Sequence, residues 1–396
     1  MTRKKCLLYI LMQMFLRYVL NSVFSPGAVN PIKILGLFIS MTVLSVFLDE
    51  LGFFKVLANA ALKKAGQSRK KLFYLLYTTV SVLTVFTSND IIVLTFTPFI
   101  CYFSSSAKIN PIPYLFTVFV AANTWSMALI IGNPTNIYLA SSLGIDFFVY
   151  LRTMILPTAA AGLASFVLLQ FCFENEFKQK MSVGITPAGH ITSPFLLIVG
   201  ILHLALCTLA LSVSSFLGVE MWQVSVLCVL SLALWNMLYA AIKKRYPSEF
   251  IRCIKRAPWN LVPFLLLMFV IVVVLEYFKL PSFLYSLIGK GAEVFKYGVV
   301  SFFACNLMNN IPMSVLFSAV TQNVPQAQRV GAVLAVTAGS NLGAFLTPFG
   351  ALAGLMWQKI LRGQGLSFGW RDFVRYGGRI GLPSLVAALV VLNFLV

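Results

Sequence analysis

Apolar residues in this chain fall into long unbroken runs, separated by short basic segments and interrupted at a few points by polar clusters. A helix needs roughly 18 to 20 apolar residues to cross about 30 Å of hydrocarbon. Runs of that kind predict spanning helices at about 6–22, 32–50, 112–131, 153–173, 194–213, 217–241, 260–278, 328–346 and 377–395. Two further stretches, about 72–104 and 297–320, carry a polar interruption near their middle. Each arm of these has only about 13 to 17 residues, short for a span at 1.5 Å per residue. Re-entrant hairpins with tips near mid-membrane fit them better than pairs of full helices. The alternating segments of an outer-membrane barrel are absent. The predicted class is an all-α polytopic membrane protein with about nine spanning helices and two re-entrant hairpins.

The interruptions come in matched pairs. Phe86-Thr87-Ser88-Asn89-Asp90 is followed by Gly132-Asn133-Pro134-Thr135-Asn136. Asn306-Leu307-Met308-Asn309-Asn310-Ile311-Pro312 is followed by Gly339-Ser340-Asn341 and Thr347-Pro348-Phe349-Gly350. Broken backbone at membrane depth is tolerated only where protein buries it or it lines a water-filled cavity. Paired breaks in two halves are the sequence mark of a transporter's binding site. The flanks correspond as well: Pro31 to Glu50 with Pro258 to Glu276, Lys71 to Asp90 with Lys296 to Asn310, and Asn133-Pro134 with Thr347-Pro348. This predicts an inverted-topology repeat. Residues 1–175 would carry a hairpin at about 72–104 and a broken helix at about 112–143. Residues 176–396 would carry them at about 297–320 and 328–358. The first half lacks an opening helix; the basic, moderately amphipathic segment 55–71 either lies along the interface or is a solvated linker.

Composition narrows the class further. Of 396 residues, 59% are hydrophobic and 10% charged, too little charged surface for a dispersed soluble domain. A net charge of +19 would suit nucleic acid, but the basic residues sit in short loops between apolar runs, which is the positive-inside pattern. A cytoplasmic N-terminus in a plasma (inner) membrane places the basic loops around 55–71, 176–193, 243–258 and 359–376 inside. The first hairpin then enters from the cytoplasm and the second from outside. Met1 to Leu20 resembles a signal peptide without a small-residue cleavage site, so it reads as a retained first helix. Seven cysteines show no CxxC spacing and no His/Cys cluster, so neither a disulfide framework nor a metal site is expected.

The chemistry on offer lies at the breaks. Ser88, Asn89 and Asp90 bring hydroxyl, amide and carboxylate groups to the first tip, where half-helix ends add partial charges of either sign. An ionised carboxylate at membrane depth is costly and faces a cavity or a partner, which makes Asp90 the candidate proton carrier. It could also cap a helix beginning at Ile91. The second tip offers the neutral amides Asn309 and Asn310, which could instead bond between helices. Asn133, Thr135 and Asn136 beside Pro134, and Ser340, Asn341 and Thr347 beside Pro348, would form the second lobe of each site. Pro134, Pro312 and Pro348 are expected to break or kink their helices. Asp49, Glu50 and Glu276, at helix ends, are expected to be solvated at the interface. No nucleophile–base pair or metal-ligand motif is visible, so no enzyme is expected, and no cofactor beyond a proton or sodium gradient.

These motifs resemble the ion-transporter superfamily, and the arsenite permeases most of all. The resemblance covers about residues 32 to 390. It rests on Phe86 to Asp90, Pro111 to Phe116, Ala121-Ala122-Asn123, Gly132 to Asn136, Asn306 to Pro312, Asn341 to Ala353, and the region of Trp357 and Trp370-Arg371. It implies a scaffold domain, a transport domain that holds both hairpins and moves in alternating access, and a homodimer. Related sodium-coupled carboxylate transporters carry Ser-Asn-Thr at both tips. Here the first tip reads Ser88-Asn89-Asp90 and the second lacks the triplet, which favours proton-linked export of arsenite or antimonite over sodium-coupled uptake of citrate or another carboxylate.

Overall fold

The computed structural model describes residues 30–182, 190–259 and 261–396. The helix expected at 6–22 lies outside the described residues. In chain order come α1 (Pro31–Glu50), α2 (Phe53–Ala65), α3 (Arg69–Phe86), α4 (Asn89–Ala107), α5 (Ile112–Trp125) and α6 (Pro134–Ser142). Then follow α7 (Phe147–Cys172), α8 (Pro194–Val213), α9 (Met221–Ile242), α10 (Ser248–Arg256), α11 (Leu261–Tyr277) and α12 (Leu280–Ile288). The chain closes with α13 (Glu293–Met308), α14 (Asn310–Thr321), α15 (Gln326–Leu342), α16 (Leu352–Gly363) and α17 (Gly378–Asn393). Among the described residues there is no strand. Among the described residues, six helical segments are long and apolar enough to cross a membrane: Ile32–Glu50, Asn89–Ala107, Phe147–Cys172, Pro194–Leu217, Met221–Ile242 and Trp370–Asn393.

Side-chain caps fix where several helices begin. Asn30 Oδ1 accepts from the backbone of Ile32 (2.9 Å) and Lys33 (3.3 Å) ahead of α1. Ser68 caps α3 through Lys71 N, and Asp146 caps α7 through Val149 N at 2.8 Å. Such caps satisfy backbone donors that a helix start leaves free. They also lengthen the first hairpin beyond expectation. Its arms, α3 and α4, have 18 and 19 residues, because helix begins at the Ser68 cap and runs through Ser104 to Ala107 past the apolar stretch.

The two other breaks are wider than kinks. The span expected at 112–131 ends at Trp125, passes through 3₁₀ turns at Ser126–Ala128 and Ile130–Gly132, and restarts at Pro134. The span expected at 328–346 ends at Leu342, makes one 3₁₀ turn at Gly343–Phe345, and restarts only at Leu352. Pro134 is therefore the first residue of a helix, where its missing N–H costs nothing. Pro348 stands in non-helical chain ahead of α16. Neither kinks a continuous helix.

Packing runs both within and between the two halves of the chain. α3 packs on α5 and α13 on α15 within each half, and α7 lies along α17 between them. The second hairpin arms exchange partners: α4 rests on α16, and α14 on α6. The α13–α15 approach depends on missing side chains, since a Cβ on Gly339 would collide with Ser301 Oγ and the Gly298 carbonyl. Small residues of this kind let helix backbones come together in lipid.

α1 is held at its C-terminal end by ion pairs rather than by solvation. Asp49 and Glu50, expected at an aqueous interface, lie under the short amphipathic helix α10. Arg256 Nη2 meets Asp49 Oδ2 at 2.7 Å, and Arg252 Nε meets Glu50 Oε2 at 2.9 Å. Arg256 Nη1 bonds Glu50 as well. The sequence pattern hides α10 because nine residues inside a basic loop are too few to read as a span.

Candidate functional site

At the first tip α3 ends with Thr87, whose hydroxyl turns back onto the Leu83 carbonyl at 2.7 Å. Ser88 is the N-cap residue of α4 but makes no side-chain capping bond, and the helix resumes at Asn89 rather than Ile91. Asp90 thus stands inside the first turn and does not cap it. Its carboxylate is half-buried and makes no hydrogen bond or ion pair among the described residues. A negative charge in a helix's first turn is favoured by the dipole.

Asn89 is buried at 1% exposure and points the other way. Its Nδ2 donates to Asn123 Oδ1 at 3.0 Å, and Asn123 Nδ2 donates to the Phe119 carbonyl at 2.8 Å. This chain orients both amides. It leaves Asn89 Oδ1 buried without a partner among the described residues, and the neighbouring Thr124 Oγ1 is in the same state. A buried acceptor left unmade costs about 1–3 kcal/mol.

The second tip repeats the arrangement with different hardware. Asn309 joins α13 to α14 at φ 74°, ψ 152°, a backbone region that is nearly glycine-only and strained for any other residue. Its side chain holds the turn: Oδ1 accepts from Ile311 N at 3.3 Å, and Nδ2 donates to the Phe349 carbonyl at 3.0 Å. Asn310 N donates to the Gly350 carbonyl at 3.0 Å. Behind this staple, Thr347 Oγ1 donates to Asn306 Oδ1 at 2.7 Å, and Asn306 Nδ2 reaches the Gly343 carbonyl at 3.0 Å. Pro312 falls in the first turn of α14, where no intrahelical donor is needed. Asn310, the first residue of α14, matches Asn89: it is buried, and its Oδ1 has no partner among the described residues.

Asn341 joins the two remaining breaks. Its Oδ1 accepts from Ser126 Oγ and Asn133 Nδ2, each at 2.9 Å. Its Nδ2 donates to Asn136 Oδ1 and the Thr337 carbonyl, each at 2.8 Å. Asn136 Nδ2 in turn donates to the carbonyls of Ser126 (2.8 Å) and Leu129 (3.1 Å). Asn133 Oδ1 caps α6 through Thr135 N at 3.2 Å. The Thr135 hydroxyl lies 3.5 Å from Asn136 Oδ1. Ser340 Oγ lies 3.4 Å from Ser314 Oγ on α14, beside a small cavity lined by Phe38, Thr135, Tyr138, Ile311 and Ser314.

The expected residues therefore fall into separate groups. Asn133, Asn136 and Asn341 form one saturated lattice. Asn309, Asn310 and Thr347 belong to the staple at the second tip, and Ser340 faces α14. Ser88 and Asp90 join none of these. The sequence reading names Asn123 and Asn306 only inside longer motifs and passes over Ser126, and these three complete the bonds. Asn123, Thr124 and Ser126 cluster at the end of a mostly apolar helix, and that cluster was the available signal.

Residues 7–339 match the family described as CitMHS, citrate transporter. The chain belongs to the CitMHS family. It is also 27% identical over 371 residues to the arsenical pump membrane protein of Escherichia coli K12, covering 90% of this chain and 84% of that protein. The Yersinia enterocolitica protein of the same name gives the same identity and coverage. The silicon efflux transporter LSI3 of Oryza sativa subsp. japonica is 28% identical over 141 residues, 36% of this chain and 29% of that one. Among solved structures, the Alcanivorax borkumensis YdaH transporter superposes with a TM-score of 0.62 at 13% identity, covering 98% of this chain and 88% of that chain. This CitMHS member is thus a multi-pass integral membrane transporter of small solutes with the fold of that neighbour.

Proposed function

We propose that the protein extrudes trivalent arsenic or antimony, as the neutral hydroxide, in exchange for protons carried by Asp90. The observation that carries this reading is a pair of buried acceptors without a partner among the described residues, Asn89 Oδ1 and Asn310 Oδ1, each on the first residue of a second hairpin arm. As(OH)₃ presents hydroxyl donors to such oxygens, and donors meeting buried acceptors remove the cost of leaving them unmade. The tips Phe86 to Asp90 and Asn306 to Pro312 contain no Lys or Arg, the residues best suited to bind a carboxylate. The names of the arsenical pump relatives support the same cargo.

In this reading Asp90 is protonated from one side and released to the other as the tips change exposure. Asn309 and Asn341 hold the geometry without touching solute. The two halves, 1–175 and 176–396, lie in opposite orientation, and the basic loops face the cytoplasm of a plasma (inner) membrane. The second reading is sodium-coupled uptake of a carboxylate such as citrate. Its support is the family description, together with the N-termini of α4 and α14 at the tips, whose positive ends suit anions.

Everted vesicles containing the full chain test the choice. Arsenite accumulation that rises with an interior-acid gradient, and loses its pH dependence in Asp90→Asn, is the expected result. Sodium-dependent citrate or succinate uptake without arsenite flux would overturn the cargo. Full pH-dependent transport in Asp90→Asn would overturn the carrier alone.

A further inference from the structure

Two cavities lie end to end along the seam between α1 and α6. The inner one, about 10 Å³, adjoins the second tip: Ile311, the neighbour of Asn310, and Ser314 line it with Thr135 and Tyr138 of α6 and Ile34 and Phe38 of α1. The outer one, about 230 Å³, is lined by Lys33, Ile34 and Leu37 of α1, by Ser141 near the end of α6, and by Asp146 and Glu220. Helical spacing puts these residues in line. Thr135, Tyr138 and Ser141 recur every three positions on α6, and Ile34 and Phe38 stand four apart on α1, spacings that share a helix face. Ile34 borders both cavities and is the partition between them. It is buried, as is Tyr138 on the facing helix.

We propose that this seam is the passage between the second tip and the surface where α1 begins, closed at Ile34 in this conformation, and that it admits only small uncharged hydroxylated solutes. The inference rests on the foregoing reading only in taking the second tip as a solute site. Among the described residues no Lys, Arg, His, Asp or Glu lines the inner cavity. Its side-chain polar groups are the hydroxyls of Thr135, Tyr138 and Ser314. Hydroxyls exchange hydrogen bonds with a neutral hydroxide but cannot compensate an ionised carboxylate stripped of water. Charge is confined to the outer cavity, where Lys33 Nζ meets Glu220 Oε2 at 2.7 Å and the two side chains are 41% and 49% exposed. Water still serves a solute there, so the discrimination falls at the inner cavity.

The closure is steric. A cavity of about 10 Å³ is at the lower limit for a single water, so no solute passes as the helices stand. α6 and α14 form one wall of the passage, since Ser318 Oγ donates to Tyr138 Oη at 3.3 Å and Gln322 Nε2 to the Ser142 carbonyl at 3.2 Å. The facing wall is α1, which presents the apolar side chains of Ile34 and Phe38. The passage therefore opens when the α6–α14 wall draws back from α1, and the bulk of Ile34 sets the width to be cleared.

Single cysteines introduced into the full chain in lipid nanodiscs test this, with label read at each introduced position by peptide mass. Ser141→Cys reports on the outer cavity, and Thr135→Cys and Ser314→Cys on the inner one, so that a poorly folded variant at one inner position leaves the other to decide. The probes are neutral methyl methanethiosulfonate and anionic 2-sulfonatoethyl methanethiosulfonate. Ser141→Cys should react with both. The inner positions should react several-fold more slowly, and with the neutral reagent alone. Adding Ile34→Ala should speed that reaction several-fold, and adding Ile34→Trp should slow it. Equal rates at the inner and outer positions, rates indifferent to residue 34, or entry of the anionic reagent at the neutral reagent's rate would each overturn the proposal. Labelling requires no flux, so failure of arsenite transport or of proton coupling leaves the seam standing, while free entry of the anionic reagent would overturn the seam and leave Asp90 untouched.

Discussion

Asn341 Nδ2 donates to Asn136 Oδ1 at 2.8 Å, across 205 residues of chain, and so ties the break after α15 to the break before α6. With its other three bonds, this one carboxamide has every polar site occupied. Substitution by alanine leaves Asn133 Nδ2 without its acceptor and removes partners from Ser126 and Asn136, all buried. At about 1–3 kcal/mol for each buried group left unmade, Asn341→Ala should lose about 3 kcal/mol or more. Thermal unfolding of the detergent-solubilised protein should show a clear fall in midpoint. An unchanged midpoint would mean that water replaces the amide.

Asn89 and Asn310 should behave in the opposite way. Each carries an oxygen that folding leaves unmade; Asn89→Ala removes that oxygen while leaving Asn123 Oδ1 unmade in its place, so these offset and the net loss is the one bond, about 1 kcal/mol. Solute flux should collapse while stability barely moves in both Asn89→Ala and Asn310→Ala. Parallel transport and melting measurements separate the outcomes, and a loss of stability matching that of Asn341→Ala would place these amides in the frame instead.

At Asn309 two substitutions separate backbone from side chain. Glycine and alanine both forfeit the bond to the Phe349 carbonyl. Only glycine adopts φ 74°, ψ 152° without strain, and such conformations cost other residues about 1–3 kcal/mol. Asn309→Gly should therefore melt above Asn309→Ala. Equal melting would mean that the tip relaxes to another conformation.

Gly339 leaves no room for a side chain. Gly339→Val forces α13 from α15 and should reduce folded protein recovered from membranes severely, while Gly363→Val, at a site with open space around its Cβ, should be tolerated. Comparing monodisperse yields of the two variants decides the point.

Arg256 neutralises a carboxylate that is almost wholly enclosed, Asp49 having a side-chain exposure of 4%. Removing one partner of a buried pair costs about 3–5 kcal/mol; Arg256 is itself half exposed, so about half of that is expected for Arg256→Gln. Asp49→Asn in the same chain should restore much of the loss. A double-mutant cycle reads the coupling directly, and additive effects would show that solvent already screens the pair.

Much of this was legible in the sequence. Long apolar runs located α1, α8, α9 and the helix pairs broken at Ser88 and Asn309, because hydrocarbon thickness imposes a length that pattern alone reveals. The tips were legible because Ser88, Asn89, Asn309 and Asn310 have no reason to interrupt such runs otherwise. What the sequence could not give was pairing between distant residues. Nothing local distinguishes Asn341, fully bonded, from Asn310, whose oxygen is free; that difference arises only when Ser126, Asn133 and Asn136 arrive from the other half. Asp49 likewise reads as an interfacial residue until α10 folds over it. Its covering helix is too short to announce itself, and its partner Arg256 lies 207 residues away.

Asp49 has one more contact. Besides the guanidinium of Arg256, it accepts the Thr95 hydroxyl of α4 at 3.0 Å, so one carboxylate grips both the first hairpin and the element that braces α1. The two grips are unequal, since charge-assisted bonds are about twice as strong as neutral ones. If the hairpin slides while α1 stays, the hydroxyl is the contact that lets go. The position then acts as a friction point, setting how fast the tip travels rather than what it carries, and Thr95→Val would loosen that brake without touching the cargo.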